Sequence, residues 1–404
     1  MENASLSAAP ALKNETAKGV TLLAAQILPV MAIVSLFPAI PKLMQQFGGI
    51  EHAALLVPMI LTIPSLMVAI FAPVAGALAD RFGRKTSFQS GMFLYVAMGL
   101  VPIFSADIFV IVASRAVLGI AEAMAVTVSS TLIGDYFGEN RQKWTSRVGI
   151  VISPAGTALL IAGGFLAEWD WRGPFYVYLL AIPALILALV YIDEPEQQSA
   201  RAEQAIAAPF PWKEAGIIGS LTLVTALLYY VEPLHIARVL AEVGLTNAGV
   251  AGIVQALTTL GYIVGAVAYG RTAHRPFTDH MTWQFLLLGA GLIVIGLSPD
   301  LIGVGIGATI QQLGAGLTIP ALLAWGQARL PYEQRARGMG IWTTSFFAGT
   351  FLCPPMVTLG ETLAGGLMPA MVLFGALCLL AAIVTVLVAR RGGASATRKL
   401  TTVS

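Results

Sequence analysis

Twelve long apolar runs dominate the chain, at approximately 20–41, 53–79, 87–105, 108–134, 145–167, 174–192, 215–235, 247–270, 282–298, 300–327, 338–360 and 365–389. A helix needs about 20 apolar residues to cross a bilayer core of about 30 Å. Inside hydrocarbon every backbone amide must find its partner within the protein, which leaves helices and closed barrels as spanning forms. These runs are continuous and not alternating, so each predicts a spanning helix. Charged residues make up only 11% of the 404, with a mean hydropathy of +0.80, against about 25% charge in a soluble domain. The expected fold is an all-α membrane protein of twelve transmembrane helices.

The polar stretches divide the chain. Residues 1–19 lack the basic-then-apolar layout of a cleaved leader and read as an N-terminal tail. "DEPEQQSARAEQAIAAPFPWKE" is the longest polar stretch and places a linker at 193–214. It separates a first six-helix domain at 20–192 from a second at 215–389, with a tail at 390–404. Of the 23 lysines and arginines, nineteen fall in the loops and tails on the side of the N-terminus. The opposite side holds Lys42, Arg172 and Arg238, and Arg115 lies inside a run. Lysine and arginine accumulate on the cytoplasmic side, so both termini are expected there.

Duplicated halves are common in carriers, and one offset exposes a repeat here. A shift of 194 places Gly76 on Gly270, Arg81 on Arg275, and Glu139-Asn140-Arg141 on Glu333-Gln334-Arg335. Both pairs of segments fall in topologically matching loops. The second copy of the first segment has decayed, with His274 in place of Asp80 and Phe277 in place of Gly83.

The loop after the second run reads "GALADRFGRK" (76–85), and the fourth run contains "RAVLGIAEA" (115–123). These resemble the loop and fourth-helix signatures of the major facilitator superfamily. "GGFLAEWDWRGPFYVY" is similar to that family's junction between helices five and six. The resemblance implies two six-helix domains working by alternating access. It also implies a latch in the outward-facing state, built from Gly76, Asp80, Arg81, Gly83, Arg84 and Arg141. Asp80 is the acid in a basic loop, and its expected partner is a neighbouring helix N-terminus or Arg141. For Arg84 and Lys85 the competing reading is that they only fix topology, and Gly76 and Gly83 are expected to permit close approach and a tight turn. One departure concerns the fifth helix. Proton-driven exporters often carry Gly-Pro before a Gly-Gly pair; Gly163-Gly164 is present, but Leu159 and Leu160 stand where Gly-Pro would.

Ionisable residues inside a span are costly, at about 2.5–3.5 kcal/mol or more, and mark function by default. Arg115 and Glu122 share the fourth run seven residues apart, two turns along nearly one helical face. They are the candidates for proton coupling and substrate binding. The plainer reading makes them a structural polar pair, with a backbone carbonyl or Gln311 as third member. Glu232 and His235 at the end of the seventh run read either as a gate or as an ordinary helix end in interfacial water. Candidate cavity-lining residues are Gln26, Tyr229, Tyr230, Glu232, Gln255, Gln311, Gln312, Trp325, Trp342 and Phe346. For each of them packing or an interhelical hydrogen bond is the alternative.

Cys353 and Cys378 lie in apolar runs, with no disulfide framework or metal-ligand spacing. No phosphate-binding loop suggests a nucleotide as energy source, and no catalytic triad suggests an enzyme. The reading is a monomeric carrier in a bacterial inner membrane, surrounded by lipid, with no nucleic-acid partner and no cofactor. Its expected activity is proton-coupled export of small hydrophobic or amphipathic organic compounds. The alternative is a proton-coupled symporter for an organic anion, a siderophore or a lysolipid, the last suggested by the similarity of "GIAEA" to Spinster-like branches.

Overall fold

The structure is a computed structural model and describes residues 5–137, 141–195, 210–331 and 335–401. Twelve helical passages occur among the described residues, and no strand. Ten of them are long and apolar enough to cross a membrane.

The first passage is broken into Ser5–Gln26, Leu28–Val34, a 3-10 turn Phe37–Ala39, and Ile40–Phe47. Pro29, Pro38 and Pro41 each sit in the first turn of a piece, where the missing N–H leaves no intrahelical bond unmade. Passages two to six are Ala53–Phe82, Arg84–Phe104, Ile108–Phe137, Arg141–Trp169, and Gly173–Leu180 running on into Ala181–Tyr191. The seventh is split into Trp212–Tyr229 and Val231–Glu242. Passages eight to twelve are Ala248–Thr272, Phe277–Leu297, Leu301–Arg329, Arg335–Ala364 and Leu367–Thr401.

Two compact units result. One holds Met1–Phe210 with Asn247–Gly252, the other Pro211–Thr246 with Ile253–Ser404. In the first, passage four packs against passages two and three. Small residues allow it: a Cβ at Gly119 would lie 2.4 Å from the Pro64 carbonyl oxygen, and one at Gly91 would lie 2.9 Å from Met124 Cβ. In the second unit, passage nine packs against ten and twelve, with Gly291 against Gly307 and Gln311. Helices in lipid gain little from hydrophobic exclusion, so such close backbone packing is a main source of cohesion.

The side chains of Asp80 and Arg141 lie outside the described residues, as do Glu139, Asn140, Glu333 and Gln334. What is described of the 76–85 loop revises two expectations. A Cβ at Gly76 would meet nothing within 4 Å among the described residues, so close approach is not the reason for that glycine. Gly83 is different. Its φ of 91° is a left-handed conformation, and its Cβ would come within 2.9 Å of Glu194 Oε2.

Glu194 explains the loop's geometry. Its carboxylate accepts from the Arg84 N–H at 2.7 Å and the Lys85 N–H at 2.9 Å. Both are free N–H groups at the start of passage three, where an anion is favoured. Arg84 also pairs with Asp135 at the end of passage four. Next to it Lys18 pairs with Asp193 at 2.9 Å and lies over the Tyr136 ring. The Arg84 side chain therefore ties passage three to passage four, and Lys18 ties passage one to the end of passage six, which for Arg84 goes beyond the topological role. Among the described residues Lys85 contributes only its backbone N–H. The decayed copy has no such turn: Pro276, at φ −54° and ψ 145°, leads straight into the helix that starts at Phe277.

Candidate functional site

Arg115 is fully buried in the first unit. Its Nη2 donates to the carbonyls of Met98 at 2.9 Å and Gly99 at 3.0 Å. The Met98 bond has a local cause. Pro102 lies four residues further along passage three and has no N–H to offer the Met98 carbonyl. Arg115 supplies the missing donor from the neighbouring helix. Its guanidinium also lies over the rings of Tyr178 at 4.7 Å and Phe175 at 5.2 Å, a cation–π arrangement strengthened by burial. Tyr95 and Tyr178 stand beside it and are themselves anchored, donating to the carbonyls of Leu28 and Ala32 at 2.8 and 3.3 Å.

Glu122 is 1% exposed. Among the described residues its Oε2 has no hydrogen-bond partner, and neither do Nε and Nη1 of Arg115. The two residues thus share a helix and a buried environment without forming an ion pair. The expectation of a closed structural pair is corrected accordingly. Arg115 is held by backbone and aromatic rings, and Glu122 keeps an unmet oxygen.

Gln26 sits at the first break of passage one and donates to Ser129 Oγ at 2.6 Å and Ser130 Oγ at 2.9 Å. It therefore pins the broken helix to passage four, about two turns beyond Glu122.

In the second unit, the split of passage seven repeats the logic seen at Pro102. Pro233 cannot bond the carbonyl of Tyr229, and Gln311 Nε2 donates to that oxygen at 3.1 Å. The Gln311 amide nitrogen is thus engaged within the second unit. The adjacent Gln312 Nε2 donates to Glu232 Oε2 at 2.6 Å, and Glu232 is only 2% exposed. The interfacial helix end weighed for Glu232 does not hold: the break turns its side chain inward onto passage ten. His235, also buried, contacts the Val231 carbonyl one turn back.

An aromatic cluster adjoins this break. Tyr229 and Tyr230 pack edge-on at 4.7 Å, both lie within 6 Å of Phe346, and Phe346 stacks on Trp342 at 5.2 Å. Among the described residues Trp342 Nε1 and Gln255 Nε2 are buried without partners. Trp325 leaves the set: it stacks on Phe277 at 4.5 Å, with Arg329 over its ring. That places it at the arginine-bearing end of passage ten, in the manner of an interfacial aromatic.

Two features escaped the sequence reading. Glu194 stood unremarked in the linker, although its "DEP" setting just after a span puts an acid beside the basic loop. The three cations assigned to the less basic side are also engaged. Arg238 makes a two-pronged ion pair with Glu361 at 2.7 and 3.0 Å, Lys42 pairs with Glu168 at 3.5 Å, and Arg172 lies over Trp171.

Comparison with known proteins agrees with this architecture. Residues 22–231 match the family model of the Major Facilitator Superfamily. The chain belongs to that superfamily. Among superfamily members it is similar to the sphingosine-1-phosphate transporter SPNS2 of Danio rerio, 34% identical over 143 residues, which are 34% of this chain and 28% of that protein. It is 27% identical to the class B tetracycline resistance protein of Escherichia coli over 42% of each chain. The bacillibactin exporter of Bacillus subtilis is 24% identical over 80% of this chain and 84% of its own length. The match to the first two spans less than half of their lengths. Among solved structures, a bacterial homologue of the human lysosomal transporter Spinster superimposes with a TM-score of 0.75. It covers 93% of this chain and 97% of its own at 16% identity, which shows the shared superfamily fold.

Proposed function

We propose that this superfamily member is a secondary active transporter that exports small hydrophobic or amphipathic organic compounds by alternating access, in exchange for protons. The observation that carries the reading is Glu122, a buried carboxylate with an unpartnered oxygen in passage four. A carboxyl group in that position is stable when protonated and costly when charged. It therefore takes up or releases a proton when a conformational change or a cargo alters its surroundings. The bacillibactin exporter by its name exports an organic compound, and the tetracycline resistance protein by its name confers resistance to one, in keeping with this reading. The protein would act as a monomer in a bacterial inner membrane, termini on the cytoplasmic side, with the proton gradient and no cofactor as energy source.

Proteoliposomes carrying an imposed pH gradient test it. Wild-type protein should move a lipophilic substrate such as tetracycline only when the gradient is present, and Glu122→Gln should lose gradient-driven transport while still binding. Movement indifferent to both the gradient and Glu122→Gln would reject the mechanism.

A second reading rests on a separate observation, the two unpartnered guanidinium nitrogens of Arg115. They suit an anionic group, as an organic-anion or lysolipid symporter would require. In that case Arg115→Lys should abolish binding of anionic compounds and leave neutral ones unaffected.

A further inference from the structure

Passage seven presents Thr222, Thr225, Tyr229 and Glu232 at steps of three and four residues, along one helical face. Passage eleven packs on this side: a Cβ at Gly219 would lie 3.0 Å from Ser345 Oγ, and one at Gly349 would lie 2.6 Å from Ala226 Cβ. Thr222 falls between Gly219 and Ala226 on that seam. Passage ten reaches the other end of the face, where Gln311 Nε2 meets the Tyr229 carbonyl and Gln312 Nε2 meets Glu232 Oε2. All of these residues belong to the second unit.

This face holds more polar groups than it satisfies. A helical threonine commonly returns its hydroxyl to a carbonyl one turn back, and in this unit Thr258, Thr318, Thr343 and Thr350 do so. Thr222 and Thr225 do not: both hydroxyls are fully buried and, among the described residues, have no partner. Gln311 Oε1 and Trp342 Nε1 are in the same condition. Four unmet groups on three adjoining helices call for a partner that the chain does not supply. Glu232 also lacks a countercharge. Arg238 is held by Glu361, His235 has its Nδ1 on the Val231 carbonyl, and among the described residues the carboxylate meets only the Gln312 amide. Beside it, Tyr229, Tyr230, Phe346 and Trp342 form a band of touching rings, and the two tyrosines keep accessible surface.

We propose that this face binds the exported compound and that the compound is an arylalkyl amine: its ammonium on Glu232 and Gln311 Oε1, its ring against Phe346 and Trp342, and a second polar group on Thr222 and Thr225. The inference rests on the export reading above and adds the charge and length of what is exported. A carboxylate and the faces of aromatic rings both attract a cation. A primary ammonium carries three N–H donors, and a carboxylate and an amide oxygen are acceptors for them. An anion would be repelled by Glu232, and a neutral compound would leave that charge buried without compensation. The second polar group lies about 10 Å from the ammonium, the rise of the seven residues from Thr225 to Glu232.

Equilibrium dialysis of the full chain in detergent, with equal micelle concentrations on both sides, tests this with four probes of one body: phenylbutylamine, phenylbutanol, phenylbutyrate and para-hydroxyphenylbutylamine. At neutral pH wild-type protein should bind phenylbutylamine about tenfold or more tighter than the alcohol or the acid, the worth of one charge-assisted hydrogen bond. Glu232→Gln, which keeps the acceptor for Gln312, should erase that preference. Glu214→Gln, which removes a carboxylate at the start of the same passage, should not. The para-hydroxyl should add about fivefold in wild type. That gain should vanish when Thr222→Val and Thr225→Val are combined, with the amine preference kept and the unfolding temperature no lower, since two unmet hydroxyls are removed. Binding is read without a gradient, so loss of proton-driven export and loss of the amine preference are separate results. Equal binding of amine, alcohol and acid, a preference surviving Glu232→Gln or lost in Glu214→Gln, or a hydroxyl gain indifferent to the two valines would each overturn the proposal.

Discussion

Arg115 donates to the carbonyl of Met98, the oxygen that Pro102 deprives of its helical partner. This makes the cost of a buried arginine intelligible as repair of a neighbouring helix that carries a proline. A bond from a charged donor contributes about 1.5–3 kcal/mol, and leaving a buried acceptor unmet costs about as much. Arg115→Gln should therefore lower thermal stability clearly in wild-type background and less in Pro102→Ala, where residue 102 regains its N–H. A double-mutant cycle by thermal unfolding in detergent reads the coupling. Strict additivity of the two substitutions would show that Arg115 does not serve this carbonyl.

The turn at Gly83 predicts a ranking. Glu194→Gln keeps the shape of the acceptor and removes its charge from an exposed helix end, a loss of a few tenths to about 1 kcal/mol. Gly83→Ala must put a Cβ into a left-handed backbone and against Glu194 Oε2, so it should destabilise more. Unfolding temperatures of the two variants check the order. Finding Gly83→Ala neutral would contradict the described turn.

Much of the fold was legible because hydrocarbon imposes one requirement on every span, and ten of the twelve passages meet it by length and composition among the described residues. The sites were less legible, for two physical reasons. Proline's effect on a backbone is local, but the group that repairs it comes from another helix. Nothing near Met98 or Tyr229 in the sequence points to Arg115 or Gln311. Burial at a helix break is also not a matter of hydropathy. Glu232 sits near the end of an apolar run, where an acid normally reaches water, and the split at Tyr230 is what brings it against Gln312. Glu122 was readable because it lies mid-run, far from any end.

Glu232 and Gln312 give a test of that buried contact. Glu232→Gln retains an oxygen for the Gln312 amide and should leave stability within about 1 kcal/mol of wild type. Glu232→Ala strands the amide in a buried setting and opens a cavity, so a loss of about 2–3 kcal/mol is expected. If Glu232 instead faced water, the two variants would unfold at the same temperature. Restoration of Glu232→Ala by Gln312→Leu, which removes the stranded donor, would confirm the partnership from the other side.

Arg238 and Glu361 provide a final check, on passages seven and eleven. Their two parallel bonds, at 2.7 and 3.0 Å, place both charges in a fork geometry that lysine cannot reproduce. The side chains are 29% and 20% exposed, so solvent screens part of the attraction, and a coupling of about 1 kcal/mol is expected. Arg238→Lys should lose most of that coupling despite keeping its charge. The exchange Arg238→Glu with Glu361→Arg should recover more stability than the two single substitutions predict when summed. A coupling near zero in 20 mM salt, the order of ionic strength at which screening is weak, would show that the pair contributes nothing to holding these two helices together.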